Sequence, residues 1–232
     1  MIRWLKNLFR RSEQSQTPPC TWLEVGPDNP FDVRILNILP VTQTMTSFTQ
    51  SKKLAQSFVD LRQSDGSELP DVNIADAELV SCALKISMPN QLDDGPLFKA
   101  AEMEDKWDIY TYDSTFYFAR SWGGELIYKA PYRVREDAVQ IDEIQAAPNH
   151  VDKADQTVFF LLTSHVLGQP FPNPIPEGLP DDADQIAMHA FSSFGRQACC
   201  ATYSDVTKVS LVDTSGSTDR YWPNPAAGLL NY

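Results

Sequence analysis

Apolar and polar positions alternate with a period of two between Trp107 and Tyr132, WDIYTYDSTFYFARSWGGELIYKAPY, a stretch that holds nine of the chain's 25 aromatic residues. Such alternation predicts half-buried β-strands. Asp113-Ser114 and Gly123-Gly124 interrupt it with residues suited to tight hairpin turns. The pattern therefore predicts a three-stranded antiparallel meander over 107–112, 115–122 and 125–131. With two-residue turns, Trp107 faces Arg120 and Arg120 faces Ile127. One face then carries Trp107, Ile109, Thr111, Phe116, Phe118, Arg120 and Ile127 and is the better core face. The other carries Asp108, Tyr110, Tyr112, Tyr117, Ala119, Leu126 and Tyr128.

Before the meander, 20–25, 31–39 and 77–86 read as strands. Ser47-Phe48-Thr49-Gln50 has the form of a capping box, and Leu54, Ala55, Phe58 and Leu61 follow at helical spacing, so a helix is predicted over 47–63. After the meander, 138–146 reads as a strand. Ala154, Val158, Leu161, Leu162 and His165 form one helical stripe over 151–167, with Gly168 as the stop. The connector QPFPNPIPEGLP has five prolines in twelve residues and reads as a stiff strap of polyproline character. Asp181 or Asp182 then caps a helix ending near Phe194 and Gly195, with Ile186, Ala187, Ala190, Phe191 and Phe194 inward. The segments 197–203 and 208–212 read as strands, with continuation of the preceding helix as the alternative for the first.

Strands and helices fall in separate runs, which predicts an α+β domain over 20–232: a mainly antiparallel sheet built on the central meander, with about three helices packed mostly on one face. The composition, 42% hydrophobic and 22% charged, is that of a globular domain. A formal charge of -12 argues against a nucleic-acid partner, since phosphate binding needs a basic surface. Cys20, Cys82, Cys199 and Cys200 lack C-x-x-C spacing, His150, His165 and His189 are scattered, and no metal or cofactor motif is present; a reduced, cytoplasmic setting with no cofactor is expected.

The first eleven residues, MIRWLKNLFRR, invert that charge. They carry Arg3, Lys6, Arg10 and Arg11 and no acid, whereas the rest of the chain carries 15 basic and 31 acidic residues. Ile2, Trp4, Leu5, Leu8 and Phe9 recur at helical spacing, so a helix here presents an apolar stripe flanked by cations. That pattern suits an anionic membrane surface; docking on a protein, including this one's own acidic surface, is the competing expectation. Residues 12–19 read as a linker.

Arg120 falls among apolar positions, where a guanidinium needs a partner. It is expected either to clamp an anion or to stack on Trp107 or Trp122 and hold a loop. Those three residues form the candidate binding surface for a protein partner. The run Lys106-Trp107, Ile109-Tyr110, Phe118, Arg120-Ser121-Trp122 and Gly124 resembles a KW-x-IY…RSW-x-G pattern in a family of uncharacterised bacterial proteins; the Pro-x-Pro segment and Phe194-Gly195-Arg196 are similar to that family's C-terminal half. The resemblance implies a shared fold and carries no activity. The expected function is a non-enzymatic accessory or interaction module. The alternative is a hydrolase-like enzyme using His165 or His189 with Cys199, Cys200 or a nearby carboxylate, although no local feature of the two cysteines marks either thiol as activated.

Overall fold

The computed structural model describes residues 19–88 and 92–212; the basic segment 1–11 lies outside the described residues. The fold is α+β, with two sheets sharing one core.

The larger sheet is antiparallel throughout. It contains β3 (Glu78–Ser87), β4 (Gly95–Phe98), β5 (Trp107–Tyr112), β6 (Thr115–Arg120), β7 (Leu126–Pro131), β8 (Arg133–Arg135) and β9 (Ala138–Ala146), in the order β3-β9-β7-β6-β5-β4 with β8 alongside β9. The first meander hairpin has the predicted register, Trp107 opposite Arg120. Asp113 and Ser114 both take positive φ, 47° and 54°, as a two-residue type I′ turn requires.

The second hairpin departs from expectation. Phe118 pairs with Tyr128 and Ala119 with Leu126, so Ile127 is the extra residue of a bulge. Arg120 accordingly faces Glu125 rather than Ile127, its N–H donating to the Glu125 carbonyl at 2.8 Å. The bulge also moves Tyr128 onto the core face, where its ring stacks on Trp107 at 6.0 Å. Leu126 stays on the other face with Tyr110, Tyr117 and Leu69 in a small second cluster.

The smaller sheet is a separate unit that the single-sheet expectation did not contain. Its strands β1 (Thr21–Leu23), β2 (Ile35–Asn37), β10 (Pro172–Pro174) and β11 (Cys200–Thr202) lie in the order β1-β2-β11-β10. The proline strap thus supplies a strand, β10, which pairs in parallel with β11. Proline is tolerated there because β10 is an edge and needs donors on one side only. The strand expected over 31–39 stops at Asn37, because Pro40 favours the first turn of a short helix α1 (Leu39–Thr42). The strand expected over 208–212 is a 3-10 turn, Val206–Lys208, followed by one bridge from Leu211 to Phe31; Asp205 draws the chain into the turn by accepting from the Thr207 N–H at 3.1 Å.

Helix α2 (Lys52–Leu61) begins four residues later than the capping box implied. Ser51 is the cap, its Oγ accepting from the Leu54 N–H, while Ser47 is engaged by Glu104 and Lys106. Helix α3 (Ala154–Leu161) buries Ala154, Val158 and Leu161 as expected and continues as a π-helical segment, Leu162–Val166. Helix α4 (Ala183–Phe194) is capped by Asp182 and buries Ile186, Ala187, Ala190, Phe191 and Phe194. Gly195 ends it at φ 72°, where a Cβ would stand 2.0 Å from the Glu104 carbonyl oxygen. Helices α3 and α4 complete the main core, which α2 does not enter with any fully buried residue.

A buried ion pair anchors the opposite face. Asp108, 1% exposed, receives Arg62 Nη1 at 3.0 Å and Nη2 at 2.5 Å and the Ala100 N–H at 2.8 Å. Removing Arg62 would leave a buried carboxylate short of donors.

Trp107 is 2% exposed and contacts both the sheet and α4. Its replacement by Ala should lower stability by ~3–5 kcal/mol, read from urea unfolding of the purified protein; a loss near zero would remove this ring from the core.

Candidate functional site

Helix α4 ends against the meander, and its last carbonyls need donors. Trp107 Nε1 and Arg120 Nη1 both donate to the Ser193 carbonyl, at 2.8 and 2.9 Å, and Arg120 Nη2 donates to the Ser192 carbonyl at 3.2 Å. The guanidinium carbon lies 4.7 Å from the centre of the Trp107 ring. Arg120 stacks on Trp107 and holds the end of a helix rather than the expected loop, a cation at the negative pole of the helix dipole.

Two depressions open on either side of this junction and share Arg120 and Ser192. The first, about 410 Å³, lies between the meander, α3 and the proline strap, and is lined among others by Trp107, Tyr128, His150, Lys153 and His189. Burial lowers the pKa of His150 and of His189, and Arg120 adds to the effect at His150. His189 Nε2 lies 3.3 Å from Ser193 Oγ, one helical turn along α4.

The second depression, about 310 Å³, is lined by Ser47, Lys106, Arg120, Trp122, Phe191 and Ser192. Lys106 is only 7% exposed. Its Nζ donates to Ser47 Oγ at 2.5 Å and to the Met103 carbonyl at 2.8 Å, and lies 4.8 and 5.0 Å from the centres of the Trp122 and Phe191 rings. Burial, followed by repulsion from Arg120, pulls its pKa down to about 8. At neutral pH most of the amine keeps its proton and donates to Ser47, so the contact holds the 44–51 loop to the sheet and leaves little free base to activate the hydroxyl. Trp122 Nε1 donates to the same Met103 carbonyl at 2.8 Å.

The structure thus joins Trp107 and Arg120 directly and places Trp122 across Arg120 in the second depression. Lys106 and Ser47 were not singled out from sequence as site residues. Lys106 belongs to the K-W motif, but its partner lies 59 positions away in a loop where the capping-box pattern predicts the start of a helix.

Of the residues of the hydrolase-like alternative, His189 lines the first depression and His165, Cys199 and Cys200 lie elsewhere. His165 is buried against the Phe98 and Phe160 rings, with Nδ1 2.7 Å from Ser164 Oγ, and burial pushes its pKa down to about 3. A base that weak remains neutral and is poorly matched to proton abstraction at pH 7. Cys199 and Cys200 are buried with their sulfurs 3.8 Å apart, and burial raises the Cys200 thiol well above its ordinary value. The Cys199 thiol contacts the Cys200 sulfur and the Phe171 carbonyl. Cys199 and Ser164 line a third cavity, about 440 Å³, together with the Arg196–Glu102 ion pair. Among the described residues no group of three or more His, Cys, Asp or Glu side chains is placed to hold a metal ion, and no helix is long and apolar enough to cross a membrane.

The depressed pKa of His165 has a defined pH signature. The unfolded chain takes up a proton near pH 6.5 that the folded chain refuses down to about 3, so stability at this position is intact above 6.5 and is lost as pH falls between those values. Between pH 7 and 5 the loss should be about 2 kcal/mol. Urea unfolding of the wild type and of His165→Gln at both pH values checks it: the variant should lack that share of the pH dependence whatever its stability at pH 7.

No protein-family model, no curated protein and no solved structure matches this chain.

Proposed function

We propose that this protein is a non-enzymatic interaction module, held peripherally at an anionic membrane on the cytoplasmic side by residues 1–11, with the Trp107–Arg120–Trp122 face as its surface for a protein partner. The observation that carries the reading is the reversal of charge along the chain. Four cations and no acid stand in the first eleven residues, ahead of 15 basic and 31 acidic residues. Ile2, Trp4, Leu5, Leu8 and Phe9 supply the apolar side of the segment, and Arg3, Lys6, Arg10 and Arg11 the attraction to anionic headgroups, each worth ~1 kcal/mol near the surface. The acidic body is repelled by the same headgroups and faces away. The part of this face open to solvent is Arg120 and Trp122, residue types that dominate protein interfaces, while Trp107 is buried behind them in the core, and its cations and rings are committed to holding structure more than to proton transfer.

The full chain should co-sediment with vesicles containing phosphatidylserine at low salt and be released in large part at high salt, because screening weakens the electrostatic share of binding. Deleting residues 1–11 should abolish co-sedimentation and leave the unfolding midpoint unchanged. Loss of more than ~2 kcal/mol of stability on deletion, together with indifference of the full chain to vesicles, would make the segment a packed structural element and end the membrane proposal.

A further inference from the structure

Lys106 and Arg120 line one depression of about 310 Å³ with two rings, Trp122 and Phe191, and two serines, and no carboxylate is among the lining residues. In a chain of net charge -12, two clustered cations without an acid between them run against the average. Neither forms an ion pair among the described residues. The acids nearest in sequence act on Lys106 from outside the depression without pairing with it: Glu104 Oε1 accepts from the Ser47 N–H at 2.7 Å, Asp105 Oδ2 accepts from the Ala101 N–H at 2.9 Å, and their charges offset only part of the burial and the Arg120 repulsion that disfavour the Lys106 cation. Glu125, across the second hairpin from Arg120, lines the neighbouring depression.

A half-desolvated cation is stabilised when an opposite charge enters its shell, and two of them repelling one another gain more than one alone. Carbonyls and aromatic faces meet this need in part. The bonds of Arg120 to the α4 carbonyls use two of its five N–H donors. Ser47 and Ser192 add hydroxyls at the rim. We propose that this depression is a carboxylate-binding site, taking an acidic side chain or the C-terminal carboxylate of a partner polypeptide between Lys106 and Arg120, with Trp122 and Phe191 against the planar group. The inference rests on the interaction-module reading and supplies the chemistry that its binding face recognises.

The Lys106 amine reports occupancy. With a pKa of about 8 it is half free at pH 8, and a carboxylate beside it favours the protonated form; a rise to about 9 would cut the free amine about fivefold. The full chain is acetylated at pH 8 and low ionic strength with limiting acetic anhydride. The Lys106-containing peptide is followed by mass spectrometry in the presence of sodium benzoate, of a Glu-rich heptapeptide or of inorganic phosphate, each at matched ionic strength against sodium chloride. The expected result is at least threefold protection of Lys106, relative to Lys52 and Lys85 as internal standards, by benzoate and the peptide. Stronger protection by the peptide assigns the site to a polypeptide partner; equal molar protection assigns it to small carboxylates, which overturns the partner part of the proposal. Protection by phosphate alone, or by no anion, overturns the carboxylate site.

Arg120→Gln should abolish protection, and Trp122 fluorescence quenching by benzoate in the wild type provides a readout that needs no variant. Vesicle binding through residues 1–11 does not involve this depression. A negative acetylation result with positive co-sedimentation therefore removes the carboxylate site and leaves the membrane-held module in place, whereas the reverse result removes the membrane attachment alone.

Discussion

The C-terminal carbonyls of α4 set the constraint on which the rest of the molecule depends. A helix that ends against a sheet presents carbonyl oxygens with no partner inside the helix. Here Ser192 and Ser193 are met by Arg120 and Trp107, residues paired across the first meander hairpin. The arrangement locks the angle between helix and sheet. It also keeps a guanidinium at the surface of the core without a carboxylate, because the helix end provides the negative charge in distributed form. Gly195 completes the junction, since only a residue without Cβ lets the chain pass the Glu104 carbonyl so closely.

The parts of the fold that follow from local pattern were legible in the sequence. The strand over 138–146, the inner face of α4 with its Asp182 cap, and the register of the first hairpin depend on periodicity and on turn or cap residues that neighbour one another. What was not legible depends on distant partners. The bulge at Ile127 reflects packing of Tyr128 against Trp107. Ser47 failed to cap α2 because Glu104 and Lys106, more than fifty positions away, claim its backbone and hydroxyl. The β8–β9 hairpin turns on Glu136-Asp137, with φ of 48° and 60°, although Glu136 is not among the usual turn residues.

The candidate site divides in the same way. Trp107, Arg120 and Trp122 could be chosen from sequence because large aromatic and guanidinium groups in an alternating run must be placed somewhere, and few placements are cheap. Lys106 could not. Its character comes from the two ring faces and the Arg120 charge that surround it in space, none of which local pattern assigns to it.

Strand β10 has a consequence beyond the strap it forms. The Ile175 N–H bonds inward to Thr202, and alternation along the strand turns the backbone of Asn173 to the same side and those of Pro172 and Pro174 to the outer edge. Proline has no N–H, so that edge offers carbonyls and no donors at both positions. An invading strand would find half of its ladder missing. The smaller sheet is thereby closed to growth at its β10 edge by its own chemistry, without a charged gatekeeper, while β1 forms the opposite edge.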